Sequence, residues 1–411
     1  MNIKFSIVSV GAVAACISFS VRASASSAGG SGAPEPRNVP ALLVSEDGKT
    51  VGTAHEWESV RRPELFNTFM REEYGVRPAA ASERSRVSFK VADERDAMDG
   101  KAVRKLVDIT YSGPCGKLSF RAIAFIPKTS KPAPAFLLIC NRDRAKNHGV
   151  APIDPDRREK SGFWPAEEIV ARGYAAVTFY NGDVAPDDKK GGCRKGVFAA
   201  VEKRSARNAE SWATISAWAW GASRVMDWIE AEPLIDKSHV AVVGHSRGGK
   251  TALLAGATDK RFAMACSNNS GCSGAKLNHI NLPKSESIKV ITKSFPHWFC
   301  KNYSKYAGRE MTMPFDQHEF IALIAPRLVA IASATEDHWA GQHGEWHAAR
   351  LASPAWALYG KKGLVADAFP PPETPQQSGS ISYHLRTGRH DLTPYDWKCY
   401  MDFADRHGWR D

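Results

Sequence analysis

The strongest constraint on this chain is the pentapeptide Gly244-His245-Ser246-Arg247-Gly248, set between the apolar run Val240-Ala241-Val242-Val243 and the helix-forming stretch Lys250-Thr251-Ala252-Leu253-Leu254-Ala255. Strand, sharp turn and helix in that order make a nucleophile elbow. Glycine is needed on both flanks because the turn strains the backbone of Ser246 and crowds its neighbours, where a Cβ would clash. The helix N-terminus then aims its free amides at the place where an oxyanion would form. The pentapeptide alone carries little information, and its setting between a strand and a helix is what gives it weight.

Around the elbow, strand and helix patterns alternate. Residues 135–140 are apolar on both faces, as in a strand buried in mid-sheet. Residues 165–172 read as a helix capped by Gly173, 175–180 as the next strand, and 209–231 as a long helix leading to the elbow strand. Later strands are expected at 263–267, 328–332 and 381–385. Earlier segments at 86–91, 105–111 and 118–126 look antiparallel, with the turn Ser112-Gly113-Pro114 between the last two. A helical stretch from about 55 to 80 meets a stop at Gly75. The sum is a largely parallel, doubly wound α/β sheet with antiparallel strands at one edge.

With 411 residues and 43% apolar content, one large domain over 55–411 is the economical reading. Its least regular stretches, 181–208, 268–318 and 361–379, are long for connections and are expected to be substrate-binding insertions. Residues 1–25 have the charged, apolar and small-residue regions of a secretory signal peptide ending at Ala23-Ser24-Ala25, and 26–54 read as a flexible leader. Export to the periplasm or the exterior is expected. Lipidation at Cys16 is the less favoured alternative, and no stable membrane insertion is expected. Removing Lys4 and Arg22 lowers the formal charge from +11 to +9, so the mature chain stays basic, which suits an acidic substrate. No basic block interleaved with aromatics points to nucleic acid. Seven of the eight cysteines survive cleavage, an odd number without a CxxC pair, and Cys272 with Cys300 is the expected disulfide.

A serine hydroxyl is a poor nucleophile at neutral pH, so Ser246 needs a base and the base needs an orienting acid. In this fold the chain order is Ser, acid, His. His390 lies in a glycine-containing loop after the strand at 381–385, and Asp337 follows the strand at 328–332, both at carboxyl ends. Glu336 is the adjacent rival for the acid. His338, His343 and His347 crowd one segment, but Glu345 is displaced by one residue from the zinc pattern, and no metal is expected.

Several longer motifs accompany the elbow: Gly248-Gly249-Lys250, Asn269-Ser270-Gly271-Cys272, Phe295-Pro296-His297-Trp298-Phe299-Cys300, Pro314-Phe315-Asp316-Gln317-His318, Asp337-His338-Trp339 and His390 to Trp397. Together they make the chain resemble the glucuronoyl esterases, carbohydrate esterase family 15, above all the bacterial members, over most of residues 60–405. The resemblance implies an α/β-hydrolase fold, a three-layer αβα sandwich, and no cofactor. It implies hydrolysis of the ester between a (4-O-methyl-)glucuronic acid of glucuronoxylan and a lignin alcohol, through an acyl-enzyme. It assigns Ser246 as nucleophile, Arg247 as oxyanion stabiliser, and Lys250, Glu286 and Trp339 as sugar-binding residues. Arg247 suits its role because its N–H follows the nucleophile and its guanidinium adds positive charge. Lys250 is one helical turn from Ser246 on the same face. Fungal members carry the triad acid where this chain has Asn269, so the acid here is expected at Asp337, the alternative position in bacterial members. Glucuronoxylan and lignin–carbohydrate esters are thus the expected partners of a monomer. Acetyl or feruloyl esterases of polysaccharides, and a non-catalytic carbohydrate-binding relative, are the rival readings.

Overall fold

The computed structural model describes residues 34–142 and 153–410; the signal-peptide and lipidation expectations lie outside them. Nine strands form a single sheet: β1 (Val87–Ala97), β2 (Ala102–Gly113), β3 (Gly116–Pro127), β4 (Ala133–Cys140), β5 (Ala175–Tyr180), β6 (Ile235–His245), β7 (Met264–Asn268), β8 (Leu328–Ala334) and β9 (Ile381–Arg386). Their order is β1-β2-β3-β5-β4-β6-β7-β8-β9. The first three strands pair antiparallel, β3 also meets β5 antiparallel, and every pairing from β5 to β9 is parallel. This is the α/β-hydrolase architecture, with the expected antiparallel edge.

Alternation along the central strands explains the three layers. In β4, Leu137 and Ile139 enter one apolar cluster while Phe136, Leu138 and Cys140 enter the other, so both faces are covered. Helices Thr214–Ile229 and Arg247–Thr258 pack on the first face, and helix Pro394–Arg406 on the second. Full burial of every residue in Thr214–Ile229 explains why its sequence is rich in Trp, Ala and Ile on all sides.

The departures from the sequence reading have local causes. The helix expected from 209 begins at Thr214, because residues 209–210 form a turn and Ser211 bridges Val76 just past the N-terminal helical run, Val76 N–H donating to Glu210 O and Trp212 N–H to Val76 O. β1 continues to Ala97, well past 91, through a bulge at Val91/Asp93; as an exposed edge strand it shows no burial alternation. Within the described part of the expected leader, Leu42 and Val51 are buried in the core and Arg61 donates to Leu42 O, so residues 42–51 pack on the domain instead of running free. The Cys272–Cys300 bridge does not form. Cys272 Sγ lies against Ser273 and Asn278, Cys300 Sγ donates to Arg71 O, and both thiols are free. The first two insertions contain short helices, such as Val197–Val201 and Ile288–Ser294, and the third is irregular. Among the described residues no helix is long and apolar enough to cross a membrane.

Candidate active site

Sheet register places the site. His245 of β6 lies opposite Asn268 of β7, Asn268 opposite Ala332 of β8, and Ala332 opposite His384 of β9. The residues just beyond these ends, Ser246, Asn269, Asp337 and His390, therefore share the carboxyl edge of the sheet. Ser246 has φ 57° and ψ −123°, a strain of order 1–3 kcal/mol. Its N–H is held by Asn268 O at 2.8 Å. Gly244 cannot be replaced, because a Cβ there would overlap the Gly248 carbonyl. From Ser246 the helix Arg247–Thr258 starts at once, so Arg247 and Gly248 carry first-turn N–H groups without an intrahelical acceptor.

His390 Nδ1 donates to Asp337 Oδ2 at 2.5 Å, which leaves Nε2 as the basic nitrogen. Its ring lies beside the elbow, 4.4 Å between centroids from that of His245. Asp337 also accepts from Asn269 Nδ2 at 2.6 Å and from Ala340 N–H at 3.2 Å. Burial alone would raise this carboxyl; the His390 bond and charge, with the two further donors, outweigh it and hold Asp337 below the usual carboxylate range. Glu336 points elsewhere and pairs with exposed Arg389. His245 is kept neutral, burial and the neighbouring His390 pushing it well below the ordinary range while it donates to Asn268 Oδ1.

On the other flank, the Arg247 guanidinium bonds Asp187 and lies over the Trp298 ring at 4.8 Å and the Phe295 ring at 5.6 Å. Asp187 further accepts from His297 Nε2 at 2.7 Å and Trp298 Nε1 at 2.8 Å. These donors and the Arg247 charge overcome the effect of burial and keep Asp187 strongly ionised. Arg247 is thus fixed at the mouth of the elbow with cationic density beside the first-turn amides.

Lys250, Glu286 and Trp339 come together as a third group. Lys250 is 2% exposed and donates to Ser270 O (2.5 Å), Cys272 O (2.5 Å) and Glu286 Oε2 (2.8 Å). An ammonium has three protons, so Lys250 reaches a sugar hydroxyl only by exchanging one of these bonds. Glu286 Oε1 accepts from Trp339 Nε1 at 3.3 Å, and Glu286 N–H donates to Trp339 O at 2.8 Å. Eleven of the twelve tryptophans are at most 6% exposed, whereas Trp339 is 48% exposed, so its indole presents a face to solvent and is not part of the core.

The structure brings Ser246, Asp337 and His390 to one end of the sheet, as the sequence reading expects, and adds Asp187 and Glu345, which that reading misses. Asp187 lies in an insertion with no pattern to single it out. In the sequence Glu345 appears only as the residue that breaks the zinc pattern; it is a buried acceptor, while His343 stacks on Phe369. His297 and Trp298 stood in a recognisable motif without an assigned role. Among the described residues no group of three His, Cys, Asp or Glu side chains is placed to hold a metal ion.

Three comparisons bear on this arrangement. The family described as "Glucuronyl esterase, fungi" matches residues 109–360. Carbohydrate esterase MZ0003, from an unknown prokaryotic organism, is 37% identical over 393 residues, covering 90% of this chain and 89% of that protein. A promiscuous CE15 esterase from a marine bacterial metagenome superposes with TM-score 0.81 at 36% identity over 91% of this chain and 98% of that one. The glucuronoyl esterase from Solibacter usitatus gives TM-score 0.81 at 35% identity over 90% and 98%.

Proposed function

This chain belongs to the glucuronoyl esterases, carbohydrate esterase family 15, and is a carboxylic ester hydrolase; from that premise we propose that it is a secreted monomeric serine esterase cleaving glucuronic acid esters of glucuronoxylan with lignin alcohols. Ser246 Oγ attacks the uronoyl carbonyl while His390 Nε2 takes its proton. Asp337 holds the imidazole tautomer and the imidazolium that forms. The first-turn amides and the Arg247 guanidinium receive the oxyanion, worth about 2.7–4 kcal/mol per donor. The imidazolium then protonates the departing alcohol, and water activated by the same base releases the uronic acid.

The observation that carries the reading is the His390–Asp337 pair standing beside a strained serine elbow, with cationic Arg247 on the opposite flank. Glu286 and the exposed Trp339 support a sugar on the acid side of the ester: a carboxylate accepts from hydroxyls, and an indole face covers a pyranose. A basic chain and a signal-peptide-like start support export and an acidic polymer as substrate. Ser246→Ala is expected to abolish turnover of a methyl glucuronate ester with its circular dichroism spectrum unchanged. Residual turnover in the purified variant would overturn the serine mechanism. Faster hydrolysis of acetylated xylan than of methyl glucuronate by the native enzyme would overturn the substrate assignment.

A further inference from the structure

Glu345 takes no part in the chemistry above, yet it is fully buried beside it. From helix Gln342–Ala352 it reaches the corner that follows β7. Its Oε1 accepts from Ser270 N–H at 2.8 Å, Gly271 N–H at 2.9 Å and Ser270 Oγ at 3.2 Å; its Oε2 accepts from Ser333 Oγ of β8 at 2.6 Å. Each of these donors is a neutral group. Burial, opposed by the bonds from Ser333 and Gly271, pushes this carboxyl up to about 7.

The corner it holds is strained. Asn269 has φ 46° and Gly271 φ 63°, and a Cβ on Gly271 would press on Glu286 at 3.1 Å. Left-handed residues so close together turn neighbouring N–H groups toward one point, and an acceptor must stand there. Glu345 is that acceptor. From the same corner Asn269 Nδ2 reaches Asp337 Oδ2, the oxygen that also takes His390 Nδ1.

We propose that Glu345 is a positioning residue for the relay: by fixing the Asn269–Gly271 corner it makes the Asn269 amide orient the Asp337 carboxylate toward His390. This rests on the Ser246, His390 and Asp337 reading given above. The residue that follows β7 is an amide, and the buried carboxylate behind it keeps that amide in place.

The test is a double-mutant cycle with Asn269→Ala on a methyl glucuronate ester. Glu345→Ala is expected to lower kcat by on the order of 10²-fold, the size of effect that a small misplacement produces. Glu345→Gln keeps an oxygen for both backbone N–H groups and presents its NH2 to Ser333 Oγ, so kcat should return to within a few-fold of the native value, by order of magnitude. The Asn269→Ala/Glu345→Ala pair should lose no more than the worse single variant. Should Glu345→Ala fail to fold, Ser333→Ala replaces it in the cycle, with a smaller kcat loss that vanishes in the Asn269→Ala background. Losses that multiply, a Gln variant as poor as the Ala variant, or a fall in Tm with kcat untouched would each overturn the proposal. Asp337→Ala is the control, since full activity there would overturn the relay itself and not Glu345's part in it.

Discussion

On one flank of Ser246, Asn269, Asp337 and His390 hang from the carboxyl ends of β7, β8 and β9, whereas on the other Arg247 is met by Asp187, Phe295, His297 and Trp298 from two long insertions. The strand-end flank is positioned by the sheet's own register, so its geometry follows wherever the strands pair correctly. The insertion flank depends on folding more than seventy residues of irregular chain against the N-terminal helical run. Tyr74 OH donates to Ser273 O, Cys300 N–H to Glu73 O and Asn302 Nδ2 to Arg71 O, which ties the second insertion to that run. In the proposed mechanism, proton transfer thus falls to the rigid part, while the partners that fix the Arg247 guanidinium come from the part that varies most readily.

The largest loss is expected on the strand-end flank. Asp337→Asn removes the charge that stabilises the imidazolium and presents an amide where Nδ1 donates. By analogy with triads in general, kcat should fall about 10⁴-fold with KM little changed. A loss under tenfold in steady-state assays would mean that another acid serves His390. Asp187→Ala should cost less, about 10²-fold in kcat, since Arg247 keeps its backbone N–H at the elbow and loses only the anchor of its guanidinium. If Asp187→Ala cost as much as Asp337→Asn, the two flanks would not differ in the way their construction implies.

The same division explains what the sequence made legible. The elbow, the strands from 135 to 385 and the loops bearing Asp337 and His390 are readable because short apolar runs define buried strands, and the residues just beyond parallel strand ends are brought together by topology. β1 was misjudged in length because an exposed edge strand has no alternation to read. Asp187 was invisible for a different reason. Its partner Arg247 lies sixty residues away, and no local spacing encodes that contact. Glu345 is hidden behind its histidine neighbours: in the sequence it stands out only as a residue displaced by one from the zinc pattern, and only the left-handed corner at Asn269 and Gly271 gives it work to do. The disulfide expectation failed similarly, since compartment and cysteine count say nothing about which thiols face one another.

The flanks should also part company with pH. Glu73, beneath the insertion, is fully buried and accepts from Gln317 Nε2 at 3.3 and 3.1 Å. Burial pushes its carboxyl up to about 8 against the Gln317, Tyr74 and Ser273 bonds, with nearby Asp316 adding to the rise. In the unfolded chain a glutamate titrates near 4.3, by the ordinary reference value. Between these values the folded state keeps a proton that the unfolded state has released, so Glu73 makes stability fall as pH rises, by up to about 1.4 kcal/mol per unit. Asp337 has the opposite sign. Its carboxyl sits below the usual range, so its contribution is complete above about pH 4 and disappears only as pH drops through its folded value. Glu73→Gln cannot titrate and keeps the shape, so its urea midpoint should gain on the native protein's from pH 5 to pH 8. The Asp337 carboxyl itself, ionised in both states, adds no slope over the same interval. A Glu73→Gln gap that does not change with pH would show that the carboxyl beneath the insertion is ionised throughout, and that the two flanks rest on electrostatics of the same sign.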